Sequence, residues 1–289
     1  MAKELLKGKR HIVFDWLSNQ NSLFNMIMGK DLVFVDSYLA DKEFYKKISS
    51  SVGLAVYIDD NKRIDYPDGV VFNGTFVAKT LGYPKKSGVR YILGHKYVLL
   101  RKEFWDVPVK KVRPVAESFL ITFGGEDKEN MTPKILKYLA KHFPDMRKTA
   151  IIGGGFVNIK QVKSSADRNT ELVYSPSSSV IKKNMIEADI AISAGGQTLF
   201  ELARTGTPAV AIGVADNQMN NLIGCRKFGT AIFAGFINTP GLVNKIGKIL
   251  FDLSNYKMRA KMAKRGQSII DGSGAMNTVA KILKYIKEK

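Results

Sequence analysis

A single cysteine, Cys225, occurs in the chain, so no internal disulfide can form and a reducing, cytoplasmic setting fits. Its neighbours are those of a small buried helix residue, not of a nucleophile. Histidine is scarce too, with three in 289 residues, which excludes a Cys/His finger and leaves no metal-ligand spacing. No apolar run approaches the roughly 18 residues of a membrane-spanning helix. The opening M-A-K-E-L-L-K-G-K-R lacks the apolar centre of a signal peptide. Acidic residues are also few, 26 against 45 basic ones, for a net charge of +19. Such a balance invites a nucleic-acid reading, but the lysines are scattered and most dense only in the last helical stretches, Lys257 to Lys289. No basic motif is interleaved with aromatics. The charge therefore reads as a solvated surface that attracts an anionic small molecule, with weak contact to acidic lipid and no nucleic-acid partner.

What the chain does have is apolar content, 45%, enough for two α/β domains. Residues 3 to 8 read as the tail of a helix, and His11 to Phe14 as a strand. Asp31 to Asp36, Leu54 to Ile58 and Val70 to Phe72 read as buried strands, with a helix over 41–50. Tyr91 to Glu103 reads as an irregular segment with a strand-like centre. Residues 105–114, W-D-V-P-V-K-K-V-R-P, carry two prolines and read as a linker. The remainder is more regular. Apolar strands at 118–123, 148–152, 171–174, 189–193, 208–212 and 230–233 alternate with helices, the pattern of a doubly wound parallel sheet. Three helices, 241–252, 255–269 and 274–287, close the chain after Pro240.

Residues 188–218 organise the rest: A-D-I-A-I-S-A-G-G-Q-T-L-F-E-L-A-R-T-G-T-P-A-V-A-I-G-V-A-D-N-Q. The strand ends abruptly at Ala194-Gly195-Gly196, helical spacing follows through Leu199, Leu202 and Ala203, and a second strand starts after Pro208. A glycine pair here can simply make a tight βα turn. It can also bare the backbone N–H groups of a helix N-terminus, whose positive end holds a phosphate. Glu201, a turn and a half into the helix, can meet a sugar hydroxyl, and Asn217 and Gln218 offer neutral amides from the next loop. Together these favour a phosphorylated ligand at the carboxyl ends of the strands.

S-A-G-G-Q-T-L-F-E-L-A-x-x-G-x-P, with N-Q downstream, resembles the C-terminal signature of GT-B-fold nucleotide-sugar enzymes. The nearest likeness is to the UDP-2,4-diacetamido-2,4,6-trideoxy-β-L-altropyranose hydrolase family of pseudaminic-acid biosynthesis. A more distant likeness is to the UDP-GlcNAc transferase that makes lipid II. The resemblance implies two Rossmann-like, doubly wound parallel-sheet domains facing across a cleft, with boundaries at 1–108 (sugar side) and 109–289 (UDP side). It also implies an upstream strand and a G-x-G-H-x-x-R loop bearing a histidine base. Neither is found in these residues, so the N-terminal domain is expected to be incomplete. The closest string, L-G-H-K at 93–96, lacks the first glycine and the arginine, and His95 is not carried over as a catalyst.

By the same resemblance UDP is expected at Ser193, Gly195, Gly196, Gln197, Thr198 and Glu201, with the uracil near Gly153 and Phe156. Gly124 and Gly125, in F-G-G-E-D after the first strand of the second domain, are expected at the sugar; a plain glycine turn is the competing reading. Asn217 and Gln218 would orient the amino sugar, and Tyr38, in D-S-Y at a strand end, joins Asn217 in the catalytic set. Asp59 and Asp60 point opposite ways if the strand continues, so no metal is expected there. No cofactor is implied. The implied reaction is attack of water at the anomeric carbon with departure of UDP. Two alternatives stand beside it: a GT-B transferase using a UDP-amino sugar, and a non-catalytic nucleotide-sugar binding homologue.

Overall fold

Apolar runs that alternate with helices assemble into two parallel sheets in the computed structural model, which describes residues 8–288. The first contains β1 (Leu32–Val35), β2 (Leu54–Ile58), β3 (Gly69–Asn73) and β4 (Val89–Leu93), in the order β1-β2-β3-β4. Side chains alternate across it as a pleated strand requires. Ala55 and Tyr57 join Phe44, Tyr45 and Ile48 in one core, whereas Leu54 and Val56 face another. Helix α1 (Gln20–Ile27) starts at Asn19, and α2 (Lys42–Ser51) is capped by Asp41, whose carboxylate accepts the Phe44 amide at 2.8 Å.

The four described strands themselves run in chain order across the sheet. Two expectations for this half are corrected. Residues 11–14 form no strand: nothing pairs with them among the described residues, and Ile12 and Val13 stay 71% and 82% exposed. In the 91–103 segment the strand lies at the start. Gly94, at φ +106°, ends the ladder, and Tyr97, Val98, Leu100 and Phe104 turn into the core through short 3₁₀ turns. The expected helix tail at 3–8 falls, Gly8 apart, outside the described residues.

The second sheet contains β5 (Ser118–Thr122), β6 (Arg147–Ile152), β7 (Thr170–Tyr174), β8 (Ile190–Ala194), β9 (Ala209–Gly213) and β10 (Ala231–Phe236). Its order, β10-β9-β8-β5-β6-β7, is doubly wound, and all six apolar runs read from the sequence are strands. Phe119 and Ile121 pack under α3 (Met131–His142), α4 (Ile159–Ser165) and α8 (Leu242–Asp252). Leu120, between them, packs under α5 (Ser178–Glu187), α6 (Thr198–Thr205) and α7 (Met219–Phe228).

The chain closes with α9 (Tyr256–Ile269) and α10 (Gly274–Lys287). Gly266 lets α9 lie on α6, since a Cβ there would sit 2.5 Å from the Ala203 carbonyl oxygen. Helix α10 leaves the second sheet and covers the first, Ile282 and Tyr285 joining Val56, Val70, Phe72 and Ile92. Residues 274–287, grouped with 109–289 on sequence, therefore face the other sheet. Gly272, at φ +86°, turns the chain there. Helical periodicity defines an apolar face but not which sheet it will cover. The 105–114 linker is pinned rather than loose: Arg113 pairs with Asp189 at 2.9 Å, and Lys110 donates to the Ala188 carbonyl at 2.6 Å.

Candidate functional site

Strand order in the second sheet reverses between β5 and β8. At such a switch point the following loops diverge and open a crevice at the strands' carboxyl ends. Both glycine motifs lie there, Gly124-Gly125 after β5 and Gly195-Gly196 after β8. The Gly195 amide is not an open donor: it donates to the Ile212 carbonyl at 3.0 Å and to Gln218 Oε1 at 3.1 Å. Gly196 and Gln197 follow at the mouth of α6, and among the described residues their amides have no backbone partner. Gly196, Gln197 and Thr198 are accessible, whereas Ser193 is fully buried with its hydroxyl donating to the Ala194 carbonyl. Phe156 is likewise enclosed, packed in the core beneath β6, so its ring is not presented to the crevice.

Gly153 and Gly125 are pressed together. A Cβ on Gly153 would lie 2.3 Å from the Gly125 oxygen, and the Gly155 amide donates to that oxygen at 3.0 Å. The two glycine loops thus brace each other. Asp127, next along, accepts the Met131 and Thr132 amides at 2.9 Å and caps α3.

Glu201 is buried, and Arg101 holds it in a two-point contact, Nε to Oε1 and Nη2 to Oε2, each 2.7 Å. Arg101 also reaches Ser178 Oγ at 3.1 Å, and Gln197 Nε2 donates to the Leu99 carbonyl at 2.6 Å. The segment joining the two sheets is therefore strapped to the crevice-facing end of α6.

Loops of the first sheet supply the opposite wall. The Tyr38 hydroxyl donates to Asp60 Oδ2, Asn217 lies in hydrogen-bonding reach of the same hydroxyl, and Arg63 stacks over the Tyr38 ring at 4.8 Å. Asn220 Nδ2 donates to Asn61 Oδ1 at 2.7 Å and to the Asp60 carbonyl at 3.3 Å. One short segment, 216–220, thus touches both walls, through Gln218 at the glycine turn and through Asn217 and Asn220 at Tyr38 and Asp60. Burial pushes the Tyr38 phenol up to about 12, with Asp60 adding to the shift. Burial, then the charge of Asp59, also raises the Asp60 carboxyl, against the Tyr38 hydroxyl and Arg63.

Sequence reading names Tyr38, Asn217, Gln218 and the Gly195-Gly196 pair, which the 216–220 segment links, and misses Arg101, Arg63 and Asn220. Arg101 sits in L-L-R-K-E and Asn220 two residues beyond N-Q, but nothing in either spacing marks a cross-chain partner. The histidines lie elsewhere. His95 is packed beside Phe76 and Phe228, its pKa lowered by burial and then by Lys79, while His142 stacks on Tyr138. Among the described residues no helix is long and apolar enough to cross a membrane.

Known proteins resemble this chain in sequence or in fold. Over 263 residues the chain is 23% identical to the spore coat polysaccharide biosynthesis protein SpsG of Bacillus subtilis, covering 86% of this chain and 75% of that one. Over 210 residues it is 27% identical to a Helicobacter pylori protein, the pseudaminic acid cytidylyltransferase and UDP-2,4-diacetamido-2,4,6-trideoxy-beta-L-altropyranose hydrolase. The chain is a distant homologue of both. That second match covers 70% of this chain and 37% of the longer Helicobacter protein. No family model matches the chain. Among solved structures, Acinetobacter baumannii MurG aligns with a TM-score of 0.61 at 16% identity, over 88% of this chain and 73% of that one. S. aureus MnaA, solved with UDP, aligns at 0.65 and 11% identity, over 99% and 87%. The fold is GT-B-like, and the homologues belong to sugar-nucleotide and polysaccharide biosynthesis.

Proposed function

We propose that the chain hydrolyses a UDP-linked diacetamido-trideoxy sugar and releases UDP, in biosynthesis of a nonulosonic acid of the pseudaminic type. The observation that carries this reading is the meeting of Gly196, Asn217, Gln218, Tyr38 and Asp60 around one crevice at the switch point. The 27% identity to a protein named for hydrolysis of such a sugar supports it.

Water adds to the anomeric carbon while the bond to the diphosphate oxygen breaks, and UDP departs with the bonding pair. The amides of Gly196, Gln197 and Thr198, at the positive end of α6, meet the charge that develops on the diphosphate. Gly195 shapes the turn and leaves donation to its neighbours. A carboxylate has about four lone-pair positions, so Glu201 can accept ribose hydroxyls on those that Arg101 leaves open. The backbone about Gly153 lies against the uracil; Ser193 and Phe156 support the site from within. Gly124, Gly125 and Gln218 line the sugar, which Tyr38 and Asn217 orient. The reaction uses no cofactor in this reading.

UDP release from UDP-diacetamido-trideoxy sugars, measured with and without an acceptor, tests it. Release in the absence of acceptor is expected. Release only with an acceptor would make the protein a transferase, a reading that the net charge of +19 favours through docking on acidic membranes. Tight UDP binding without turnover would make it a binding homologue.

A further inference from the structure

We infer that a second cavity, away from the crevice, binds a small phosphate-bearing molecule with a flat aromatic body. The cavity measures about 350 Å³ and lies where loops of the first sheet meet the end of α7. Lys79, His95 and Lys96 come from the loops after β3 and β4, and Lys227 and Phe228 from the last turn of α7. No carboxylate lines it. Converging ammonium groups recognise phosphate when no protein acid already neutralises them. Among the described residues, none of these three ammonium groups has an ion-pair or hydrogen-bond partner; that of Lys96 lies over the Tyr97 ring at 4.9 Å.

Aromatic rings from both units form the apolar wall. Phe76 stacks on Phe228 with ring centroids 4.9 Å apart, and His95 stands 5.1 Å from Phe228 and 5.7 Å from Phe76. Phe76 is buried, whereas His95 and Phe228 are half-buried at the cavity. The His95 ring nitrogens have no hydrogen-bond partner among the described residues. Burial, then Lys79, lowers the His95 pKa, with Lys96 acting the same way against Asp271. The ring is therefore neutral near neutral pH and offers one N–H donor and one acceptor. Asp271 is itself held by the Ser273 amide at 2.9 Å and hydroxyl at 2.7 Å. Gly94, at φ +106°, leaves room for the Lys79 stem, since a Cβ there would meet Lys79 Cε at 3.3 Å. Unpaired ammonium groups beside accessible ring faces suit an aryl phosphate better than a bare phosphate ion. The cavity is distinct from the UDP crevice. Helix α7, ten residues and so about 15 Å long, lies between them. Asn220, in its first turn, reaches Asp60 and Asn61 at the crevice, while Lys227 and Phe228 end it at the cavity.

Phenyl phosphate is the probe, with inorganic phosphate as the control for charge alone. Binding to the full chain is read from the NMR signals of its three histidine rings, that of His95 being identified by its loss in H95Q. Phenyl phosphate is expected to shift the His95 signal saturably with a Kd of about 1 mM or tighter, with or without saturating UDP. Signals of His11 and His142 should stay in place. Inorganic phosphate should bind about 5-fold more weakly, for want of the ring contact. K79A/K227A should weaken phenyl phosphate about 10-fold or more and leave folding and UDP affinity unchanged, since neither ammonium group has a partner in the protein. No shift of His95 up to about 10 mM probe, or undiminished binding in K79A/K227A, would overturn the inference. Displacement of the probe by UDP would overturn it too, by placing the probe in the crevice. Equal affinity for the two probes would overturn the aromatic ligand class. None of these readouts needs turnover, so a chain inactive toward UDP-sugars would overturn the hydrolase reading and leave this site standing.

Discussion

Arg101 and Glu201 are a hundred residues apart in sequence, yet the guanidinium meets the carboxylate fork to fork, with both contacts at 2.7 Å. The pair joins the connecting segment between the sheets to the helix that opens on the crevice, so the seating of the two units rests on this contact. Glu201 has 5% of its side chain exposed and Arg101 38%. Removing the arginine therefore leaves the less solvated partner alone.

Arg101→Ala is accordingly expected to destabilise the protein by about 2–3 kcal/mol and to weaken UDP binding. Arg101→Lys should restore only part of either, since an ammonium cannot make both contacts. Denaturant unfolding and calorimetry with UDP would measure the two effects. Unchanged stability in Arg101→Ala would mean that the pair is not formed in solution.

Glycines in the two loops should behave differently. Gly153→Ala drives a Cβ to 2.3 Å from the Gly125 oxygen, a backbone atom that cannot swing aside. A loss of about 2–3 kcal/mol in stability is expected, read as a lower denaturation midpoint. At Gly196 the nearest atom is Gln218 Nε2 at 4.0 Å, so Gly196→Ala should fold normally. Its methyl group would stand beside the open amides and crowd the donors that meet the diphosphate, so UDP affinity should fall about 10-fold. Native affinity in that variant would remove Gly196 from the diphosphate site.

Truncating Ile282 tests the return of the last helix. The side chain is 3% exposed and packs with Val56, Val70, Phe72 and Ile92 of the first sheet. Ile282→Ala should cost about 2–4 kcal/mol, and hydrogen exchange should speed up in β2 to β4 rather than in the second sheet. Faster exchange confined to β5–β10 would contradict the packing.

Cys225 is 1% exposed, and burial pushes its thiol up to about 12 from 9.0. It should resist alkylation at about pH 9 in the native protein and react once denaturant is added. Because the neutral thiol is favoured when folded, the unfolded chain loses its proton first. Stability should therefore decline as pH rises from the unfolded thiol value toward 12, and Cys225→Ser or Cys225→Ala should abolish that part of the decline.

Much of this molecule is legible in the chain alone, though unevenly. In the second sheet the central strands β5, β8 and β9 are short, largely apolar runs buried at every position, a pattern that local sequence carries by itself. The Gly195-Gly196 turn is legible for the same reason, because glycine, helix start and strand end are all local features. Residues 11–14 mislead because their composition is strand-like while their partner, the other half of any strand pair, is not encoded locally. Asp60 presents itself in sequence only as a weak metal-ligand candidate. Its meeting with Tyr38, 22 residues away, and with the 216–220 segment depends on how two loops approach across a cleft.

Composition, periodicity and glycine placement by themselves determined an α/β chain with a doubly wound second sheet and a glycine turn at a helix start after β8. These follow from short-range rules of burial and backbone freedom. Only tertiary structure decided that Gly195 gives its amide to Gln218, that Glu201 is clasped by Arg101, and that α10 covers the first sheet. Each of those is a contact between residues far apart in the chain, where local preference is silent and packing geometry alone selects the partner.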